Sequence, residues 1–162
     1  MRADLIGLAP VARVANSPGV ASARERVAAG AIAAGCVALL AVGAWLRPDP
    51  RGYGTHEQLG ALPCGFFIVT GIPCPTCGMT TAFSNLVHGH VLAAVHAQPS
   101  GAVLAVLTVC GALVAGRQAL TGRRVRLRWE WLGTPFGLAL LAGLLFGGWG
   151  YKIATFLISH PH

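Results

Sequence analysis

The sequence predicts an all-α integral membrane protein with about three transmembrane helices, a cysteine-motif loop and short interfacial helices. Two features of the composition support this fold class: 54% of the 162 residues are hydrophobic, and 10% are charged. A soluble domain carries roughly a quarter charged residues, so this chain is too apolar to be one. The third observation is that the apolar residues gather in long runs, separated by segments that contain Arg, Pro and Gly.

The first apolar run, residues 27–46, contains no charged side chain. At about 1.5 Å per residue, a helix of this length crosses the hydrocarbon core of a bilayer. A cleaved signal peptide is the alternative, but its apolar region is usually about 7–15 residues long. No cleavage site of small residues follows before Arg47. We therefore predict an uncleaved span, preceded by a disordered cytoplasmic tail over residues 1–26.

Two further apolar runs predict spans at 99–120 and 132–158, so that residues 27–162 form a single helical membrane domain. Pro99 is suited to the first turn of the second span, because the N–H that proline lacks is not needed there. Lys152 lies near the end of the third span, next to Trp149 and Tyr151. These residues are typical of a membrane interface, and we expect the ammonium of Lys152 to extend outward to water.

The positive charge predicts the orientation of these spans. Nine of the twelve Lys and Arg lie in the N-terminal tail or in the 116–130 loop. Such residues accumulate on the cytoplasmic side of membrane proteins. We therefore expect the N-terminus inside and the segment 64–98 on the extracytoplasmic side.

The formal net charge of +7 does not indicate nucleic acid as a partner. A nucleic-acid-binding protein collects its basic residues on one face, interleaved with aromatic residues. Here the arginines flank apolar spans instead. The expected partners are the lipid bilayer and other membrane proteins.

Residues that can bind metal or carry out thiol chemistry concentrate in the segment 64–98. This segment holds three of the five cysteines and three of the six histidines. Cys74 and Cys77 form a Cys-x-x-Cys pair within a stretch whose backbone is restricted by prolines and glycines: Gly71, Pro73, Pro75 and Gly78. Thr76 is predicted to cap a helix over residues 77–88, and a short helix over residues 90–98 follows Gly89. Cys77 would lie in the first turn, where the helix dipole favours a thiolate.

Three roles fit the cysteines. A zinc site would take its ligands from Cys74, Cys77, Cys64 and His56, although the usual second Cys-x-x-Cys pair is absent. Thiol–disulfide chemistry would use Cys74 and Cys77 as the catalytic pair, although the βαβ context of thioredoxin-like proteins is absent. A structural disulfide would join Cys64 to Cys74 or Cys77. We favour the structural role, and hence a non-enzymatic accessory or scaffold protein of the membrane.

The string TGIPCPTCGMTTAF, preceded by Cys64 and followed by a Gly-containing turn and a Pro-opened span, resembles the small bacterial membrane proteins of the domain of unknown function DUF2752. The resemblance covers residues 64–108 and implies no activity. It implies the bacterial cytoplasmic (inner) membrane as the location. It also implies roles, which we take as structural, for motif positions besides the cysteines: Thr70, Gly71, Pro73, Pro75, Gly78, Thr80, Gly89 and Pro99.

The chain departs from the family pattern at three polar positions. Thr81 stands where the family has Arg, His90 where it has Asp, and Gln98 where it has Asn. The loss of an Arg and an Asp together removes a candidate ion pair. A mechanism that needs this pair is therefore not expected here.

Overall fold

The computed structural model describes residues 19–125 and 133–159, in which the regular elements are helices apart from an isolated bridge between Val20 and Arg123. Most of the predicted tail lies outside these residues. The elements, in chain order, are α1 (Ala23–Trp45), a 3₁₀ helix (Thr55–Leu59), α2 (Gly65–Thr70), α3 (Met79–Val87), α4 (Val91–Ala97), α5 (Pro99–Thr121) and α6 (Pro135–Ser159). The all-helical fold class with short helices between long ones is confirmed.

Three helices in the described part of the chain, α1, α5 and α6, are long and apolar enough to cross a membrane. The predicted spans are confirmed, and their ends differ from the observed helix ends by at most four residues. The largest difference is the start of α1, because Ser22 caps it: the Ser22 hydroxyl accepts from the N–H of Glu25, and the Glu25 carboxylate accepts from the N–H of Ser22. Such a capping box satisfies two N–H groups that a helix start leaves free. The chain is therefore a multi-pass membrane protein.

The helices α1 and α5 pack along their length, antiparallel to each other. At one end, Arg26 Nε donates to the carbonyl of Ala119, and Arg124 pairs with Glu25 at 2.7 Å. At the other end, the short helix α3 packs on the end of α1, and both α3 and α4 pack on α5. Arg26 and Arg124 thus lie at the opposite end of the α1–α5 pair from the cysteine motif.

The core at the motif end consists of small residues, with Leu86 packed against them: Ala82, Ala94, Ala97 and Ala102. Small residues let helix backbones approach closely where apolar burial alone gives little driving force, as in a membrane. The helix α6 makes a similarly close approach to α5, since a Cβ on Gly148 would lie 2.7 Å from Ser100 Oγ. The helices at the motif end therefore approach one another closely.

Candidate functional site

The motif loop, residues 71–78, forms a pair of tight turns before α3. The N–H of Cys77 donates to the carbonyl of Cys74 at 2.9 Å, and the N–H of Met79 donates to that of Thr76 at 3.1 Å. Gly78 is the N-cap of α3, with a φ of 90°. The prediction of a helix from Cys77 with Thr76 as its cap is wrong, because the left-handed backbone at Gly78 interrupts the helix. Cys77 therefore lies before the helix, in the turn.

Side chains from distant parts of the chain hold the motif loop by its backbone. Trp149 Nε1, on α6, donates to the carbonyl of Pro73 at 2.8 Å. Gln98 Nε2, at the start of α5, donates to the carbonyl of Pro75 at 2.9 Å. Both acceptors are proline carbonyls in an irregular segment, where regular secondary structure does not satisfy them. The loop is consequently fixed in place by two of the spanning helices.

The motif positions other than the cysteines occupy structural places. Gly71 is the left-handed C-cap of α2, Gly89 follows α3 with a φ of 81°, and Pro99 opens α5 as predicted. Pro73 is fully buried, Pro75 offers its carbonyl to Gln98, and Thr80 lies half-buried in the first turn of α3. These places fit the structural role that we took from the resemblance.

Two of the three departures from the family pattern form buried hydrogen bonds. Thr81, at 1% exposure, lies with its hydroxyl 2.8 Å from that of Thr55, and the Thr55 hydroxyl accepts from the N–H of Asp49. Gln98 is fully buried and also donates to Ser100 Oγ at 3.1 Å. A neutral pair of threonines therefore stands at the position of the family's arginine. The sequence marked Thr81 and Gln98 as departures but gave no indication of these partners.

All five cysteines, each within the described residues, are free thiols. Cys64 and Cys74 are half-buried, whereas Cys77 is buried at 6% exposure. The Thr76 hydroxyl lies 3.4 Å from Cys74 Sγ. The structure thus places the two sulfurs of the Cys-x-x-Cys pair in different surroundings.

The pKa values of the two thiols shift in opposite directions. Partial burial alone would raise the pKa of Cys74, but hydrogen bonds from Thr76, from the Cys64 thiol and from the backbone N–H groups of Thr76 and Cys77 lower it below its ordinary value. Burial, together with the negative charge that Cys74 and Cys64 can carry, raises the pKa of Cys77 to about 11. The expectation of a thiolate at Cys77 is therefore wrong. Cys74 is the residue whose thiolate is stabilised.

The zinc ligand set proposed from the sequence does not form a compact group. In residues 19–125 and 133–159, no three His, Cys, Asp or Glu side chains are arranged so that they could hold one metal ion. His56 lies half-buried on the 3₁₀ helix that precedes the motif. The three thiols, Cys64, Cys74 and Cys77, are near enough to influence one another's ionisation, but they are not arranged to bind one metal ion.

The sequence predicted that the Lys152 ammonium extends outward to water, and this prediction is wrong. Its side chain does not extend outward: the residue is 5% exposed, and Nζ donates to the carbonyl of Gly52 at 3.0 Å. The ammonium also lies 5.7 Å from the centroid of the Tyr53 ring. The loop of residues 48–53 folds over the end of α6 and supplies both groups, which keeps the ammonium inside.

No curated protein and no solved structure matches this chain significantly. The family model described as "Protein of unknown function (DUF2752)" matches residues 64–112. This segment contains the motif loop, the short helices α3 and α4, and the first half of α5. The resemblance to the DUF2752 family that the cysteine motif predicted is therefore confirmed over residues 64–112.

Proposed function

We propose that this membrane protein carries out thiol–disulfide exchange through Cys74 and Cys77. The observation that carries the proposal is the contrast between the two sulfurs: Cys74 is accessible with a lowered pKa, whereas Cys77 is buried with a raised pKa. An exchange reaction needs one thiol that is ionised and reachable, and a second that reacts only after the first has done so. The Cys-x-x-Cys turn supplies both within one rigid loop.

The reaction balances with a disulfide in a partner molecule as the oxidant. The Cys74 thiolate attacks one sulfur of that disulfide, a mixed disulfide forms, and the partner's other sulfur leaves as a thiolate that takes up a proton. Cys77 then loses its proton and attacks Cys74 Sγ, which releases the partner's second thiol. Two electrons pass to the partner, and a Cys74–Cys77 disulfide remains. The positive charge of Lys152 favours the Cys77 thiolate during the second step.

Trapping the intermediate tests this proposal. In a background with Cys36→Ala and Cys110→Ala, the variant Cys77→Ser should accumulate mixed disulfides when it meets disulfide-containing molecules. These adducts should be visible on non-reducing gels and removed by reductant. The variant Cys74→Ser should accumulate none, since it lacks the attacking sulfur. Cys64→Ser keeps a hydroxyl that can donate to Cys74 in place of the Cys64 thiol, so this matched control should retain exchange. Equal adduct formation by Cys74→Ser and Cys77→Ser, or stoichiometric zinc in the purified protein, would contradict the proposal.

We also propose that the motif loop faces the extracytoplasmic side, with the N-terminus inside. The argument rests on the nine of twelve basic residues that the sequence places in the N-terminal tail and the 116–130 loop. Two of those that the structure describes, Arg26 and Arg124, lie at the end of the α1–α5 pair away from the motif. Reporter fusions at residue 122, between α5 and α6, should show the cytoplasmic signal, and fusions at residue 61 the external one. The reverse pattern would overturn this orientation.

A second candidate function is a non-enzymatic accessory or scaffold role, as the sequence suggested. The observation that favours it is that Trp149 and Gln98 hold the motif loop by its backbone, as expected of a purely architectural element. In that case the cysteines serve packing, and the Cys74→Ser and Cys77→Ser variants should alter the thermal stability of the solubilised protein without forming adducts. The trapping experiment distinguishes the two functions.

A further inference from the structure

A cavity of about 750 Å³ lies at the motif end of the bundle, outside the cysteine loop. Its walls come from the loop of residues 48–53, from α4 and the end of α3, and from the last turns of α6. Polar side chains from each wall reach its lining, including Asp49, His90, His96 and Lys152. A concave site with a few convergent polar groups is the usual form of a small-ligand site.

The charge of Lys152 has no anionic partner among the described residues. Its ammonium has three N–H donors, and the hydrogen bond that it makes is to the carbonyl of Gly52. Asp49 is the one carboxylate among the described lining residues, and it is already paired with Arg51, Nη2 to Oδ2 at 2.7 Å. Cys77 is the thiol whose charge, if it ionised, would interact with Lys152. Its pKa is raised to about 11, so it is a neutral thiol at physiological pH.

A buried cation without a counter-ion is costly, because the protein interior replaces hydration poorly. The residue is 5% exposed and its ammonium lies beside the Tyr53 ring, so it is removed from water, unlike the ammonium of a surface lysine. An anion in the adjoining cavity could accept the remaining hydrogen bonds of the Lys152 ammonium and balance its charge. Imidazoles of His90 and His96 line the same space and can add hydrogen bonds.

We propose that this cavity binds a phosphate group, with Lys152 as the charged residue that recognises it. Phosphate supplies several acceptor oxygens and the negative charge that the buried ammonium lacks, and lysine binds it as a compact point charge. The cavity borders the end of a spanning helix, where lipid headgroups meet water. The phosphate can therefore belong to a lipid headgroup or to a soluble molecule, and the same chemistry recognises both.

Two probes separate these sources: inorganic phosphate, and phosphatidic acid, whose headgroup is a phosphate monoester. Purified full-length protein in phosphatidylcholine nanodiscs is dialysed against radiolabelled phosphate. The amount of phosphatidic acid that the protein retains from mixed micelles is measured by native mass spectrometry. We expect saturable binding of at least one probe, because the buried ammonium favours either. Binding of inorganic phosphate alone would indicate a soluble ligand, and binding of phosphatidic acid alone would indicate a lipid headgroup. Binding of both would indicate that the same site accepts either source.

Two variants connect the binding to the cavity. Lys152→Gln removes the charge and keeps an N–H donor for the Gly52 carbonyl. Ala93→Glu places a carboxylate on the lining of the cavity without altering Lys152. Lys152→Gln should weaken binding at least about tenfold, as expected for the loss of a charge-assisted hydrogen bond. Ala93→Glu should weaken binding by a similar factor, because its carboxylate repels the phosphate. The matched control is Ala61→Glu, at an exposed position away from the cavity, which should bind within about twofold of the parent.

If Lys152→Gln fails to accumulate, Ala93→Glu tests the site alone, since Ala93 is exposed on α4. Binding of neither probe to the parent protein would overturn the proposal. Binding that Ala93→Glu and Ala61→Glu weaken equally would also overturn it, because general surface charge would then explain the effect. The cysteine trapping experiment is independent of these results.

Discussion

The variant Gly78→Ala is expected to leave little folded protein in the membrane, the largest stability effect that we expect from a single added methyl group. A Cβ at Gly78 would lie 2.6 Å from the carbonyl oxygen of Gly52 and 2.7 Å from that of Ala97. Both are backbone atoms in packed segments, so neither can move without shifting its element. The φ of 90° adds strain for any residue with a Cβ. Together these effects should cost about 3 kcal/mol or more.

The control for this prediction is Gly71→Ala. Gly71 has a comparable φ of 69°, but a Cβ there would have no neighbour within 4 Å. This variant therefore suffers the conformational cost, about 1–2 kcal/mol, without the close contacts. Thermal unfolding of the solubilised variants should rank parent, Gly71→Ala and Gly78→Ala in falling order. Equal losses at both positions would show that the approach to Gly52 and Ala97 contributes nothing.

Alkylation of Cys74 is expected to be at least about a hundredfold faster than that of Cys77 at about pH 8, in protein with Cys36→Ala and Cys110→Ala. The thiolate is the reacting species, and each unit of pKa above the pH lowers its population about tenfold. The pKa of Cys77 is about 11, whereas that of Cys74 lies below the ordinary 9.0. Burial of Cys77 reduces its access further. Mass spectrometry of iodoacetamide-treated protein over time measures both rates.

The pH dependence of the two alkylation rates shows whether the pKa of each thiol is raised or lowered. The rate at Cys74 should rise with pH and level off at a pH below that of an ordinary cysteine, while the rate at Cys77 should still be rising above about pH 10. Thr76→Ala removes the hydroxyl 3.4 Å from Cys74 Sγ and should move the Cys74 midpoint upward. A faster reaction at Cys77 than at Cys74 would contradict the roles assigned to the two sulfurs.

The spanning helices were predictable because their signal is local. A run of about twenty apolar residues identifies a span whatever its neighbours are, and the observed helices differ from the predicted ones by a few residues. Pro99 and Gly89 were likewise predictable, since helix starts and ends depend on the backbone preferences of single residues. The start of α1 was misplaced because charged residues can still belong to a first helical turn when a Ser–Glu capping box precedes the apolar run.

The start of α3 shows where local reasoning failed inside the motif. Thr76 is a good N-cap by residue type, and helix propensity alone would continue through Cys77. Gly78 instead adopts a left-handed conformation, which brings its backbone against Gly52 and Ala97. The turn is thus selected by contacts with residues far away in sequence.

The sequence alone determined the membrane class, the three spans, the cysteine segment and its family resemblance. Composition and motif spacing are properties of the chain itself, so no tertiary contact is needed to recognise them. The tertiary structure alone decided which thiol has its thiolate stabilised and which way Lys152 faces. Both depend on the groups that surround a side chain, and these come from distant segments: Gly52 binds Lys152 across the fold, while Trp149 and Gln98 hold the turn that buries Cys77. Burial and hydrogen bonding set pKa values, and neither is encoded at the position of the titrating residue.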